Sequence, residues 1–334
     1  MVGSLIEVRR KAARAVVAAA LLACAGAPAS CGGGGGGGTV KPGAPATIKV
    51  GTIPIADVAP LYLGIRKGFF KQVKLTVKPQ PAQGGAAIVP AVLSGSDQIG
   101  FSNTTSLIIA ASKGLPVQII SQGVLAAPRR AAAWDALLVP KGSPITNAKQ
   151  LEGKTVAVNN LKNVGPLTIN TALTAMGVDY TKVKYIEIEF PDMPAALSAH
   201  RVPAAWMVEP FVSQAKAAGA KAVATPYEQT APNLTIATYF ASKQYIAKNA
   251  DVIKRFKTAM DRSLAYAQSH PDEVRKIVPT YTKIPPTAAE HMALPQWRPG
   301  LNTSTIELTA KLAQKYGYVK SAPPLSDLIW NPAG

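Results

Sequence analysis

The sequence predicts an α/β fold of two lobes, each a mainly parallel sheet flanked by helices. Apolar stretches of strand length alternate with helical stretches along most of the 334 residues, which is typical of parallel strands joined by helical crossovers. Two strand–turn–helix units, one in each half of the chain, carry polar residues where the strand ends. A chain of this length is also long enough for two domains of ordinary size.

The predicted strands are short apolar or alternating segments bounded by glycine, proline or polar residues. They cover 47–53, 74–78, 98–102, 117–121, 136–140, 154–158, 183–188, 204–208 and 236–241. The predicted helices begin at proline or polar residues and end at glycine or proline. They cover 61–67, 86–93, 106–113, 166–176, 193–199, 212–218, 249–269, 271–280, 286–294 and 303–316, with one helical turn at 147–151.

The turn Ser102-Asn103-Thr104-Thr105 follows one of these strands and precedes a helix. In open parallel sheets, ligands bind beyond the carboxyl ends of the strands and next to helix N-termini. Hydroxyl and amide groups beside free helix-end N–H groups can hold a small anion or a carboxylate. The alternative is that Asn103 and the threonines only cap their own helix. The turn is a binding site only if another part of the chain supplies an opposite wall.

A second polar turn, 159–163, also lies between a strand and a helix and can supply that wall. Gly84 and Gly85 precede a further helix, where glycine allows the backbone to approach a ligand closely or simply forms a loop. Two polar turns from separate halves of the chain are what a cleft between two lobes requires.

We expect residues 47–130 and 232–330 to form lobe 1 and residues 131–231 to form lobe 2. The chain then crosses between the lobes twice, near 126–134 and near 230–236. Two crossing strands form a hinge, which allows the lobes to close on a ligand.

The net charge of +18 is scattered along the chain, without a basic helix or a long Lys/Arg run. Scattered charge is typical of a solvated surface, so we expect no nucleic-acid partner. A basic surface favours the approach of anionic ligands or lipid headgroups.

Residues 1–31 have the pattern of a secretory signal, because a basic segment precedes an apolar run, 15–23, that is too short to span a bilayer. The two cysteines of the chain, Cys24 and Cys31, lie at its end. Leu21-Leu22-Ala23-Cys24 has the form of a bacterial lipoprotein cleavage site, whereas Cys31 leads directly into a Gly/Pro-rich linker, 32–46. We expect a lipid on Cys31 or Cys24; the alternative is a plain cleaved signal with incidental cysteines.

The sequence offers little for catalysis or for a cofactor. The three histidines lack metal-ligand spacing, and no GxSxG motif or cysteine nucleophile lies beyond residue 31. Gly153-Lys154-Thr155 lacks the earlier glycine of a phosphate-binding loop, which argues against ATP binding. Glu209, at the end of an apolar strand, is a candidate general base, but a ligand-anchoring carboxylate or a hinge partner fits better without a second catalytic group nearby. We therefore expect no enzyme and no cofactor.

Five segments together resemble one family. They are APLYLGIRKGFF (59–70), AVLSGSDQIGFSN (91–103), ITNAKQLEGKTVAV (145–158), AALSAHRVPAAWMVEPFVSQA (195–215) and DLIW (327–330). The chain resembles the substrate-binding proteins of bacterial ABC importers for nitrate, taurine and aliphatic sulfonates, a group that includes thiamine-pyrimidine binders. The resemblance implies the two-lobed, hinged periplasmic-binding-protein type II fold. It also implies a monomer that delivers a small anionic or zwitterionic solute to a membrane permease powered by a separate ATPase.

The resemblance also implies a cleft lined from both lobes. The expected ligand-binding residues are Ile55, Ala56, Asp57, Gly84, Gly85, Ser102, Asn103, Thr104, Thr105, Asn160, Lys162, Asn163, Val164, Trp206 and Glu209. Trp134, Trp206 and Tyr239 could add an aromatic wall, although core packing is expected for at least two of them.

The sequence departs from the family in three places. The family usually has Gly-x-x-Asp after a helix in both lobes, but Gln98 takes the first Asp place, and His200 and Pro203 replace the second pair. We expect these positions to be structural. The Gly-Thr/Ser helix start of sulfonate binders is missing at 162–165, which argues against a sulfonate. An enzyme related to pyrimidine synthases and a ligand sensor for a signalling receptor remain the alternatives.

Overall fold

A computed structural model describes residues 38–128 and 132–332, which belong to one compact unit. The signal, both cysteines and most of the glycine tract lie outside the described residues. The strands are β1 (Ala46–Thr52), β2 (Leu75–Pro81), β3 (Ile99–Asn103), β4 (Val117–Leu125), β5 (Asp135–Val139), β6 (Thr155–Val158), β7 (Lys184–Glu187), β8 (Ala204–Val208), β9 (Lys221–Ala224) and β10 (Thr235–Ser242).

The helices flank these strands in chain order. They are α1 (Ala59–Arg66), α2 (Phe69–Gln72), α3 (Gly85–Leu93), α4 (Thr104–Ser112), α5 (Val164–Ala175), α6 (Met193–Ser198), α7 (Phe211–Ala217), α8 (Pro226–Thr230), α9 (Lys243–Lys248), α10 (Ala250–Ser269), α11 (Pro271–Ile277), α12 (Pro286–Ala289), α13 (Thr303–Lys315) and α14 (Leu325–Leu328). Short 3-10 turns cover Ala56–Val58, Ala148–Leu151, Tyr180–Lys182, Phe190–Asp192 and Val278–Thr280. No helix in the described part of the chain has the length and apolar character needed to cross a membrane.

The strands form two sheets with the same internal plan. Sheet A has the order β2-β1-β3-β10-β4, and sheet B has the order β7-β6-β8-β5-β9. In sheet A, β1 is parallel to β2 and β3, and β10 is antiparallel to both of its neighbours. In sheet B, β6 is parallel to β7 and β8, and β5 is antiparallel to both of its neighbours. The predicted α/β class with two mainly parallel sheets is confirmed.

The antiparallel strand of each sheet is the strand that follows a crossing of the chain. The two crossings contact each other, because Ala126 N donates to Leu234 O at 2.8 Å, and Thr235 pairs with Leu125 beside them. Residues 129–131 of the first crossing lie outside the described residues. The lobe limits at 130/131 and 231/232 and the hinge motion therefore stay predictions.

Five of the numbered elements were not anticipated from the sequence: α2, α8, α9, α14 and the edge strand β9. They are four to six residues long and carry no extended apolar period, so packing rather than propensity defines them. The helix expected over 286–294 ends at Ala289. Beyond it, Met292 O accepts from Arg275 Nη2 at 3.4 Å, and Ala293 N donates to Glu209 Oε1 at 3.3 Å. These backbone groups bind side chains instead of continuing a helix.

Gln98 and His200 occupy structural positions, as expected. The Gln98 side chain accepts from Lys49 N at 2.8 Å and donates to Gly95 O at 3.1 Å, so it fastens β1 to the loop before β3. His200 has a φ of 54°, a left-handed conformation that glycine adopts more easily. This geometry gives a physical reason for a glycine at that place.

Candidate ligand-binding cavity

A narrow cavity of about 20 Å³ lies between the two sheets and is lined from both of them. Six of the residues expected to bind a ligand lie on its wall: Ile55, Asp57, Asn103, Asn163, Val164 and Trp206. A larger groove of about 360 Å³ shares Ile53, Ile55 and Phe190 with this cavity. The two spaces therefore adjoin.

The wall from sheet A is formed at the end of β3. The Asn103 side-chain oxygen accepts from Ser106 N at 2.9 Å and caps α4. This cap uses only the oxygen, so capping and ligand contact by the Nδ2 amide are compatible at Asn103. The neighbouring Thr104 hydroxyl instead donates to Thr235 O at 2.9 Å, which joins α4 to β10. Ser102, Thr104 and Thr105 are buried but do not line the cavity.

The wall from sheet B is formed at the end of β6. The Asn163 side-chain oxygen accepts from Gly165 N at 2.9 Å and caps α5, while Asn163 Nδ2 donates to Asn159 Oδ1 at 2.8 Å. Both asparagines line the cavity, so the N-termini of α4 and α5 reach it from opposite sheets. Lys162 is exposed and is absent from the lining, which differs from the expectation.

Gly84 and Gly85 lie where the two walls approach each other. A Cβ on Gly84 would overlap Asn160 Oδ1, and a Cβ on Gly85 would overlap Ser102 Oγ. Gly84 has a φ of 176°, an extended conformation open to any residue, so close approach is the reason for glycine there. Asn160 thus contacts the sheet A side directly, although it does not line the cavity.

Asp57 is the acidic group on the cavity wall. It is 3% exposed, and its Oδ1 accepts no hydrogen bond from the described residues. Burial raises the pKa of the Asp57 carboxyl to about 8, because a charged carboxylate without water or a partner is costly. The turn is held by Trp297 Nε1, which donates to Asp57 O at 3.1 Å, and by Ala56 N, which donates to Glu209 O at 3.0 Å.

Asp135 lies behind Trp206 and was missed by sequence reasoning. Its Oδ2 accepts from Trp206 Nε1 and from Tyr227 N, both at 3.1 Å. Burial raises the Asp135 pKa to about 7, although these hydrogen bonds oppose the rise. Asp135 therefore fixes the two aromatic residues Trp206 and Tyr227, which both line the cavity.

The aromatic residues divide between the cavity and the core. Trp134 and Tyr239 are each 1% exposed and do not line the cavity, so both are core residues. Phe101, Phe190, Trp206 and Tyr227 line it. No sequence pattern indicates Phe190 or Tyr227 as site residues, because both lie in short helical turns that follow weak strands.

Glu209 joins the two sheets and does not line the cavity. Its carboxylate accepts from Ser213 N at 3.0 Å and Ser213 Oγ at 2.9 Å, and also from Ala293 N. Burial raises the Glu209 pKa to about 7. Of the roles expected for Glu209, hinge partner fits this position, and ligand anchor does not.

Replacing Glu209 by alanine should lower the free energy of unfolding by about 2–4 kcal/mol, because three donors lose their acceptor. Urea unfolding measures this loss, and Glu209→Gln, which keeps one acceptor oxygen, should lose less. Solute affinity of the folded variant should change little. A variant of undiminished stability that no longer binds solute would instead place the carboxylate on the ligand.

The described residues contain no group of three or more His, Cys, Asp or Glu side chains placed to hold a metal ion. The cavity lining contains polar amides, one carboxyl and aromatic rings. Such a site can orient a small molecule by hydrogen bonds and exclude water around it.

Two mainly parallel sheets with a cavity between their strand ends, lined by amides, one carboxyl and apolar side chains, have the arrangement in which open α/β sheets bind ligands. The family model described as NMT1/THI5 like matches residues 55–274, and the chain belongs to this family. The predicted family assignment is confirmed.

Known proteins with similar sequence or fold are binding proteins. The taurine-binding periplasmic protein of Escherichia coli K12 is 29% identical over 209 residues, and the match spans 61% of this chain and 61% of that protein. The ligand-binding component of an ABC-type import system from Staphylococcus aureus has a TM-score of 0.74 at 15% identity and covers 85% of this chain and 96% of its own. The aliphatic sulphonate-binding protein SsuA from Escherichia coli has a TM-score of 0.67 at 19% identity, with 86% and 93% covered. These likenesses confirm the predicted periplasmic-binding-protein fold.

Proposed function

We propose that this protein is an extracytoplasmic receptor of an ABC importer, which encloses a small solute between its sheets and delivers it to a membrane permease with a separate ATPase. The observation that carries the proposal is the cavity lined from both sheets at the capped N-termini of α4 and α5. Ligands of open α/β sheets bind at such strand ends.

The contacts between the two sheets support opening and closing around the solute. The crossings lie side by side at Ala126 and Leu234, so rotation about them would move the walls apart without breaking either sheet. The wall contacts at Gly84 and Asn160 are then formed only when the cavity closes.

The enzyme alternative requires a histidine or cysteine beside the solute. No described residue of the cavity lining is histidine or cysteine, and His270 instead stacks on Tyr266 with ring centroids 3.8 Å apart. The binding proteins among the relatives also favour a receptor. A sensor that binds solute and contacts a signalling receptor would use the same cavity, so genes for a permease and an ATPase beside this one would favour transport.

We place the receptor on the outer side of the cytoplasmic membrane, as a monomer anchored by a lipid on Cys31 or Cys24. The periplasmic location of relatives and the glycine-rich tether after Cys31 support this. Loss of membrane association in a double Cys24→Ser and Cys31→Ser variant would test the anchor.

A thermal-shift screen over taurine, alkanesulfonates, nitrate, aminopyrimidines and riboflavin tests the receptor function. A solute present at a hundred times its Kd should stabilise the folded protein by about 2.7 kcal/mol. A protein that turns over a substrate and is stabilised by no small molecule would contradict the proposal.

Gly84→Ala should weaken solute affinity by about tenfold, because the added methyl group overlaps Asn160 in the closed arrangement and overpacking costs about 1–3 kcal/mol. Isothermal titration calorimetry measures the change. The loss in the free energy of unfolding should be smaller than the loss in the free energy of solute binding.

The matched controls are Asn160→Ala alone and the Gly84→Ala/Asn160→Ala pair. If the overlap opposes closure, the pair should regain much of the lost affinity, since the two effects are not additive for residues in contact. Equal affinity for Gly84→Ala and the unsubstituted protein would mean that this contact is not part of the bound state.

A further inference from the structure

We propose that Asp57 selects a solute that bears a nitrogen N–H donor, and that simple anions without such a donor bind poorly. This inference rests on the proposed receptor function and names the chemistry that the cavity recognises. It is carried by the place of Asp57 on the cavity wall and by its Oδ1, which has no hydrogen-bond partner among the described residues.

One oxygen of the Asp57 carboxyl, Oδ1, has no hydrogen-bond partner in the described part of the chain. Asp57 is 3% exposed, yet its Oδ1 accepts no hydrogen bond among the described residues. Buried polar atoms of native proteins nearly always have a partner, so an unpartnered carboxyl oxygen on a cavity wall points to an external donor. A solute enclosed beside Asp57 would supply that donor.

The cavity holds donors elsewhere and lacks a cation. Asn103 and Asn163 bring amide groups and the N-termini of α4 and α5 to the wall. None of the described residues in the lining is Lys, Arg or His. Lys283 lines only the adjoining groove. A solute that matches this lining has an acceptor end, which binds the amides and helix N-termini, and a nitrogen donor, which binds Asp57.

The rival interpretation is that Asp57 stays protonated and donates to an anion. The two interpretations differ in their pH dependence. A nitrogen donor binds the carboxylate more tightly as Asp57 ionises, so affinity rises with pH, whereas an anion that accepts from the protonated carboxyl loses affinity as pH rises.

Several ionisable groups act on Asp57 from the surrounding elements. They are Asp135 of β5, Tyr227 of α8, Tyr239 of β10 and Tyr281 after α11. The pKa of each tyrosine is raised well above 10.0 by burial, so of these four groups only Asp135 titrates in the same range as Asp57. Comparison with an Asp57→Asn variant separates the two carboxyls.

The test uses two pairs of probes that differ in one amino group: taurine with ethanesulfonate, and 4-aminopyrimidine with pyrimidine. Calorimetry at about pH 6 and about pH 8 compares the unsubstituted protein with Asp57→Asn and with Asp179→Asn, a change at an exposed residue outside the cavity. The two pairs also distinguish an aminosulfonate-like solute from a ring-bearing one.

In at least one pair the aminated probe should bind about tenfold or more tightly than its partner, with affinity that rises from the lower to the higher pH. Asp57→Asn should remove this preference and its pH dependence, and Asp179→Asn should keep both. Equal binding of both members, or a preference that survives in Asp57→Asn, would overturn the inference. If nitrate or ethanesulfonate binds tightly with affinity that falls as pH rises, the inference fails and the receptor function stands. If no probe and no solute of the wider screen binds, both fail.

Discussion

At about pH 7 the ligand-free Asp57→Asn variant should be more stable than the unsubstituted protein, by about 1–3 kcal/mol in the free energy of unfolding. Burial raises the Asp57 pKa from its ordinary value of 3.8 to about 8. A rise of this size corresponds to an upper limit of roughly 4–5 kcal/mol at neutral pH. The expected gain is smaller because the asparagine amide must find its own hydrogen bonds in a buried place.

The gain should depend on pH in a defined direction. Between about pH 4 and about pH 8 the folded protein retains a proton on Asp57 that the unfolded chain has released. The free energy of unfolding of the unsubstituted protein therefore falls as pH rises through this window. The contribution of the protonated Asp57 carboxyl to stability is complete only below the window. Asp135 and Glu209, whose pKa values are also raised to about 7, act in the same direction. Asp57→Asn should thus reduce this slope without abolishing it.

Thermal unfolding of both proteins from about pH 4 to about pH 8 measures this effect. Asp179→Asn is the matched control, because hydrogen bonds from Thr181 lower the Asp179 pKa. Removing that carboxylate should destabilise the protein slightly at neutral pH, whereas Asp57→Asn should stabilise it. An Asp57→Asn variant that is less stable than the unsubstituted protein at neutral pH would mean that the carboxylate is stabilised by the chain after all.

Trp206→Ala should lower the free energy of unfolding by about 3–5 kcal/mol, the usual cost of removing a buried tryptophan. Trp206 is 1% exposed, and its ring lies 5.7 Å from that of Phe190 and 5.5 Å from that of Tyr227. Its Nε1 donates to Asp135, so the substitution also leaves a buried acceptor with one donor fewer. Chemical denaturation measures the loss.

Trp206→Phe separates packing from the hydrogen bond. It keeps an aromatic ring beside Phe190 and Tyr227 but removes the donor to Asp135, which should cost about 1–2 kcal/mol. Because that donor lowers the Asp135 pKa, its loss should steepen the decline of stability above about pH 4. If the phenylalanine and alanine variants lose equal stability, the hydrogen bond rather than the ring supports this wall.

The sequence was sufficient for the parts of the site that depend on local chemistry. Asn103 and Asn163 follow strands and precede helices, and such residues cap helices and face the ligand side of a parallel sheet. The alternating strands and helices likewise predicted both sheets. Lys162 was expected in the cavity because it lies in the same turn, but a cationic side chain avoids burial without a partner, and it is exposed.

The remainder of the site depends on contacts that no local pattern encodes. Tyr227 reaches the cavity from α8, a five-residue helix, and Asp135 acts through Trp206, which is 71 residues away in the chain. The sequence also does not reveal that Asp57 Oδ1 has no hydrogen-bond partner among the described residues. That depends on which groups from other elements surround the turn after β1. Only the folded chain brings these groups together.

The position of β10 between β3 and β4 limits the order in which the protein can assemble. Sheet B is formed by one uninterrupted stretch, β5 to β9, whose shorter loops close at lower entropic cost. In sheet A, β10 lies between β3 and β4, and it follows all the strands of sheet B in the chain. Strand β4 therefore cannot join sheet A until β10 is added. A chain that emerges from its N-terminus must therefore release residues up to Ser242 before sheet A is complete. Until then strands β1 to β4 remain without their finished sheet.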